Sequence, residues 1–130
     1  MPHTADVRIE AWAPTRERCI AEAVRGTVES FADTSTCEET STRECHITGE
    51  SDEDLLVSVL DELVYRMDTA GEIPVGVEVY AAGSGVLVRF VMADVESVRP
   101  VGAVPKAVTL HELRLARGPA GWTCSVTLDV

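Results

Sequence analysis

Asp6, Lys106, His111 and Asp129, with His3, are the residues of this 130-residue chain whose types and positions suggest chemistry. Aspartate is depleted in strands. Yet Asp6 and Asp129 both lie at the ends of strand-like alternations, on the faces opposite the apolar residues. Asp129 is penultimate, so Val130 adds an α-carboxylate one residue away. If the first and last strands meet, Asp6 supplies a third anionic group. Three carboxylates are hard oxygen donors and suit Ca²⁺, Mg²⁺ or Mn²⁺. Spacing alone favours a plainer reading, a turn aspartate and a solvated tail, because termini usually fray. Against that reading, the alternation runs to the last residue with no polar tail. Lys106 follows Pro105 and opens a strand, where it would balance the carboxylates, touch a phosphate or simply face water. A lone histidine such as His111 is more often structural than a ligand.

Other chemistries find little support. No stretch has the form of a phosphate loop, a dinucleotide-binding glycine turn, a hydrolase serine elbow or a zinc-protease HExxH. Gly83-Ser84-Gly85 lies between strands rather than before a helix. Cys19, Cys37, Cys45 and Cys124 form no C-x-x-C pair, which argues against a zinc ribbon. Cys19 and Cys124 fall in apolar periodic segments and read as core residues. No base or nucleophile stands beside the aspartates, so a metal-dependent phosphatase or nuclease ranks below a non-catalytic role. The 22 acids and 11 bases give a net charge of −11. Nucleic-acid affinity rests on Lys and Arg at phosphates, so direct nucleic-acid binding is not expected. An acidic surface suits cations or a basic protein partner. The chain lacks an apolar run of membrane-spanning length and a signal-peptide pattern, which points to a cytoplasmic protein without a membrane role.

The elements that must position these residues follow from periodicity. Val7 to Trp12 alternates as a half-buried strand, with Val7, Ile9 and Ala11 on one face. Thr15 is an N-cap candidate for an amphipathic helix through Ile20, Val24, Val28 and Phe31, ending near Ala32. Residues 33–42 read as a loop and 43–48 as a strand. Ser51 caps a second helix whose stripe runs from Leu55 to Met67 and which stops at Gly71. Two hairpins follow, 75–81 with 86–92 and 106–116 with 122–130, separated by a linker over 100–105. In the penultimate strand His111 is expected to share a face with Ala107 and Thr109. The expectation is a single α+β domain over 1–130, a largely antiparallel sheet packed with two helices in the order β-α-β-α-β-β-β-β.

Four blocks in this order resemble the archease family. They are HTADVRIEAWAPTRERCIAEAV at 3–24, DLLVSVLDELVYRMD at 54–68, KAVTLHEL at 106–113 and LDV at 128–130. The resemblance implies a non-catalytic protein that activates the RNA ligase joining 3′-phosphate to 5′-hydroxyl ends. It would promote guanylylation and turnover of that ligase in tRNA splicing or RNA repair. It further implies a divalent cation, most often calcium, on Asp6, Asp129 and the Val130 carboxylate, with Lys106 serving ligase activation. Leu110 replaces the family's tyrosine, Val130 its isoleucine and Ser51 an acid, and residues 91–104 diverge from the family pattern. The alternative is a chaperone-like interaction module without a dedicated ligase.

Overall fold

The Thr15 side chain accepts a hydrogen bond from the Arg18 amide and starts α1 (Arg16–Glu29). Cys19, Ile20, Ala23, Val24, Thr27 and Val28 form its buried stripe. Ser51 caps α2 (Asp52–Ala70) in the same way through the Asp54 amide, and three acids complement the positive end of its dipole. Gly71, at φ 62°, supplies the left-handed residue that closes α2. This computed structural model describes residues 6–130. Among the described residues the strands are β1 (Asp6–Ala13), β2 (Ala32–Asp33), β3 (Ser41–Thr48), β4 (Glu72–Ala82), β5 (Gly85–Asp94), β6 (Arg99–Pro100), β7 (Ala107–Gly118) and β8 (Gly121–Asp129).

The long strands form two antiparallel sheets, ordered β1-β8-β7 and β3-β5-β4. Each helix touches strands of both sheets, α1 on β1, β8 and β4, α2 on β7, β4, β3 and β5. The sheets therefore share one core, centred on Ile20, Leu56, Leu60, Leu63, Phe90 and Leu128, all fully buried. Truncating one such leucine to alanine typically costs about 2–5 kcal/mol.

The expected fold class and element order hold, with three local differences. Helix α1 stops at Glu29, because Phe31 turns inward and the chain re-enters as β2. The junctions where the expected helix meets the loop at 33–42, and where the linker at 100–105 begins, hold an additional two-residue ladder, β2 with β6, pairing Ala32 with Pro100 and Asp33 with Arg99. Such short pairing has no periodicity to detect. Third, β7 is interrupted. Thr109 pairs with Thr127 and Arg114 with Ser125, so Leu110 to Leu113 stand opposite Val126 alone. The extra residues form an arch with Glu112 at φ 54°. His111 therefore leaves the alternation it was expected to share with Ala107 and Thr109.

Gly85 opens β5 where the backbone of β3 crosses closely. A Cβ there would run into the Ile47 carbonyl oxygen. Gly85→Ala is expected to destabilise the protein by at least about 2 kcal/mol. Chemical denaturation measures this; a midpoint within error of the native chain would show that the crossing can open without cost.

Candidate functional site

The two ends of the described chain meet side by side. Asp6 of β1 lies directly opposite Asp129 of β8, and Ala107 of β7 flanks Asp129 on the other side. The Lys106 amide donates to the Asp129 carbonyl at 2.7 Å. Residues in register on neighbouring strands project from the same face. Asp6 and Asp129 thus present two carboxylates at one corner of the outer sheet face, with Asp6 exposed and Asp129 and Val130 half-buried. Among the described residues neither aspartate forms an ion pair. Like charges directly opposite each other across a ladder are destabilising. A hard cation would relieve that repulsion, and two carboxylates are donors of the right chemistry for it. Two do not complete a coordination sphere. Among the described residues no third His, Cys, Asp or Glu joins them. Val130 follows Asp129 directly, where an α-carboxylate would add an oxygen donor.

Lys106 behaves differently from the expectation of a direct partner. Its backbone is fixed to Asp129, but strand alternation turns its side chain to the other face. There it lines a groove of about 490 Å³ with Val64, Met67, Asp68, Val95, Val104 and Pro105. The structure thus joins Asp6 and Asp129 on one face and sends the Lys106 side chain to the α2 side. His111 stands exposed on the arch with its Nε2 3.7 Å from Glu112. His3 lies outside the described residues.

Sequence reasoning overlooked the residues that hold the arch beside this corner. Arg8, two residues along β1 from Asp6, donates to Glu10 at 3.0 Å and also pairs with Glu112. The Ser125 hydroxyl donates to the Glu112 carbonyl at 3.0 Å, and the His111 amide donates to the Thr109 hydroxyl at 3.3 Å. These contacts lie on the outer face, which explains why Ser125 is buried there. The available signal was chemical, an arginine inside a strand facing an otherwise acidic chain, but its partner depends on the irregular turn at Glu112.

The cysteines take the core positions expected of them. Cys19 and Cys124 are buried against each other's strand and helix, with Cys124 Sγ 3.9 Å from the Cys19 carbonyl. Burial pushes the Cys124 thiol up to about 12 and raises the Cys19 thiol. Both are protonated near neutrality and unsuited to nucleophilic attack. Among the described residues no helix is long and apolar enough to cross a membrane.

Comparison with known proteins gives a consistent result. A model of the archease protein family (MTH1598/TM1083) matches residues 1–130. The probable protein archease of Mycobacterium tuberculosis is 53% identical over 130 residues, covering 100% of this chain and 73% of that protein. The protein archease of Archaeoglobus fulgidus is 32% identical over 138 residues, covering 98% and 95%. The fold is similar to that of an archease, possible chaperone, from Thermotoga maritima, with TM-score 0.73, 20% identity and coverage of 100% and 94%. It is also similar to the solution structure of Methanobacterium thermoautotrophicum protein 1598, with TM-score 0.76, 24% identity and coverage of 100% and 96%.

The opposed aspartates carry a consequence for stability. In a buffer with a strong chelator, Asp129→Asn removes the repulsion and is expected to stabilise the protein by up to about 1 kcal/mol. Thermal unfolding measures the change; a variant less stable than the native chain would show that Asp129 makes a favourable contact instead.

Proposed function

The chain belongs to the archease family, and from that premise we propose that it is a non-catalytic, cation-binding accessory protein that activates an RNA ligase. The ligase would be the kind that joins a 3′-phosphate end to a 5′-hydroxyl end, in tRNA splicing or RNA repair. The observation that carries the reading is the register of Asp6 with Asp129, two like charges held opposite each other with no ion pair among the described residues. A divalent cation, calcium by preference, would neutralise them. Asp6 and Asp129 would hold it, with the Val130 α-carboxylate wherever Val130 is the terminal residue.

Each protein residue then has a distinct task. Asp6 and Asp129 fix the charge at the sheet corner. The Lys106 amide holds the Asp129 backbone at 2.7 Å, which keeps β7 registered against β8 at that point. The Lys106 ammonium, on the other face, is offered to an anionic group of the ligase. The net charge of −11 favours a partner with a basic entrance and accounts for assistance delivered to a protein rather than directly to RNA.

A second reading is a chaperone-like interaction module without a dedicated ligase. It draws on the 73% exposure of Leu110 at the start of the arch, an apolar side chain presented to solvent. Co-purification separates the two, a single stoichiometric ligase favouring the first and a broad set of clients the second.

The direct test is guanylylation of such a ligase with GTP, with and without this protein. Stimulation is expected, and Asp6→Ala, Asp129→Ala and Lys106→Ala should each reduce it by about tenfold or more. No stimulation by the native chain would refute the activator role. In parallel, calcium should raise the thermal midpoint of the native chain but not of Asp129→Ala, because only the native pair binds it. A residue appended after Val130 should weaken that calcium effect; an unchanged effect would remove the Val130 carboxylate from the donor set.

A further inference from the structure

A concavity lies on the outer sheet face, beyond the arch from the aspartate corner. It is a trough of about 560 Å³, lined by Arg8, Glu10, Trp12, Arg114, Thr123 and Ser125. The ladder sets its floor in rows, Glu10 with Ser125 and Arg114, then Trp12 with Thr123 and Ala116. Trp12 is 54% exposed, an unusual place for an indole in a strand with a well-filled core beneath it. Its Nε1 edge lies against Gly121, where a side chain would crowd it at 3.1 Å, so the ring is seated by the β7–β8 turn. The small neighbours Thr123 and Ala116 in its row leave space beside the ring.

The charges in the trough are unevenly committed. Arg8 pairs with Glu10, the acid that lines the trough, and with Glu112 of the arch. Arg114 is exposed and forms no ion pair among the described residues. An open indole, a guanidinium without an acidic partner and the exposed Thr123 hydroxyl therefore share one trough. An aromatic plane stacks any nucleobase, and a guanidinium forks onto phosphate oxygens. The net charge of −11 opposes a long polyanion laid along the surface, but it does not oppose one nucleotide held locally.

We propose that this trough binds a single nucleotide, its base stacked on Trp12 and its phosphate on Arg114. The nucleotide is either free or the terminal nucleotide of an RNA strand. This assignment is separate from the cation site and from ligase activation, and its test involves no ligase.

The full chain, labelled with ¹⁵N, is titrated with adenosine 5′-monophosphate while the indole N–H signals are followed. The expected result is a saturable shift of the Trp12 indole signal, assigned by its loss in Trp12→Phe, with the Trp122 signal unmoved. Arg114→Glu should weaken binding by at least about tenfold, equivalent to loss of one charge-assisted contact. Arg89→Glu, on the other sheet, should leave it unchanged. A short oligoadenylate carrying a 3′-phosphate identifies the source: tighter binding than the mononucleotide means an RNA end, equal binding a free nucleotide. The proposal is overturned if no saturable shift occurs, if Arg114→Glu, shown folded by circular dichroism, binds like the native chain, or if ribose 5-phosphate binds as tightly as the nucleotide.

Discussion

Eight consecutive residue pairs, from Asp6 with Asp129 to Ala13 with Trp122, zip the two ends of the described chain into one antiparallel ladder. Much else rests on that pairing. It makes β8 a central strand and brings Val126 and Leu128 into the core. It seats Cys124 over α1 and sets Asp6 against Asp129. A slip of one residue would turn every β1 side chain to the opposite face, placing Arg8 and Glu10 in the core and Ile9 in water. Burial of Ile9 and Ala13 therefore enforces the register that opposes two carboxylates. The apolar pattern holds the aspartates together although their own charges repel.

The interruption of β7 is the second device. Four residues opposite one push Leu110 to Leu113 out of the sheet, and Glu112 adopts a backbone conformation costly for any residue with a side chain. Arg8 and the Ser125 hydroxyl hold Glu112 there. The arch divides the outer face into the aspartate corner on one side and the trough of Trp12 and Arg114 on the other. Both sites are thus built on strands, which hold side chains more firmly than free loops do.

The helices and the long hairpins were legible because burial imposes a period, as at Ile20, Val24 and Val28 or Leu56, Leu60 and Leu63. Caps at Thr15 and Ser51 gave the helix starts. The meeting of Asp6 with Asp129 was legible only as a condition, since local pattern marks strands but not their partners. The family resemblance at 3–24, 106–113 and 128–130 supplied the pairing's importance. The arch was not read as one: Glu112 and Leu113 shift the parity set by Val108 and Leu110, but only the pairing with β8 shows four residues opposite one. The opposite orientation of the Lys106 side chain is a matter of strand parity. It could be counted only once Ala107 was known to pair with Asp129. The β2–β6 ladder, two residues long, leaves no pattern at all.

The ladder between the ends also governs the order in which this molecule can be assembled. During synthesis β1 leaves the ribosome before the other described elements, and the strand it must pair with emerges after them. Until then β1 has one apolar face and two unpaired edges, while α1 and α2 can already settle on the β3-β5-β4 sheet. Cys19 and Cys124, in contact across 105 positions, must wait for the same event. Closure of so long a loop is slow, and exposed strand edges invite other chains. The carboxylate pair is therefore among the last features to form, and it exists only in a chain that has been made through β8.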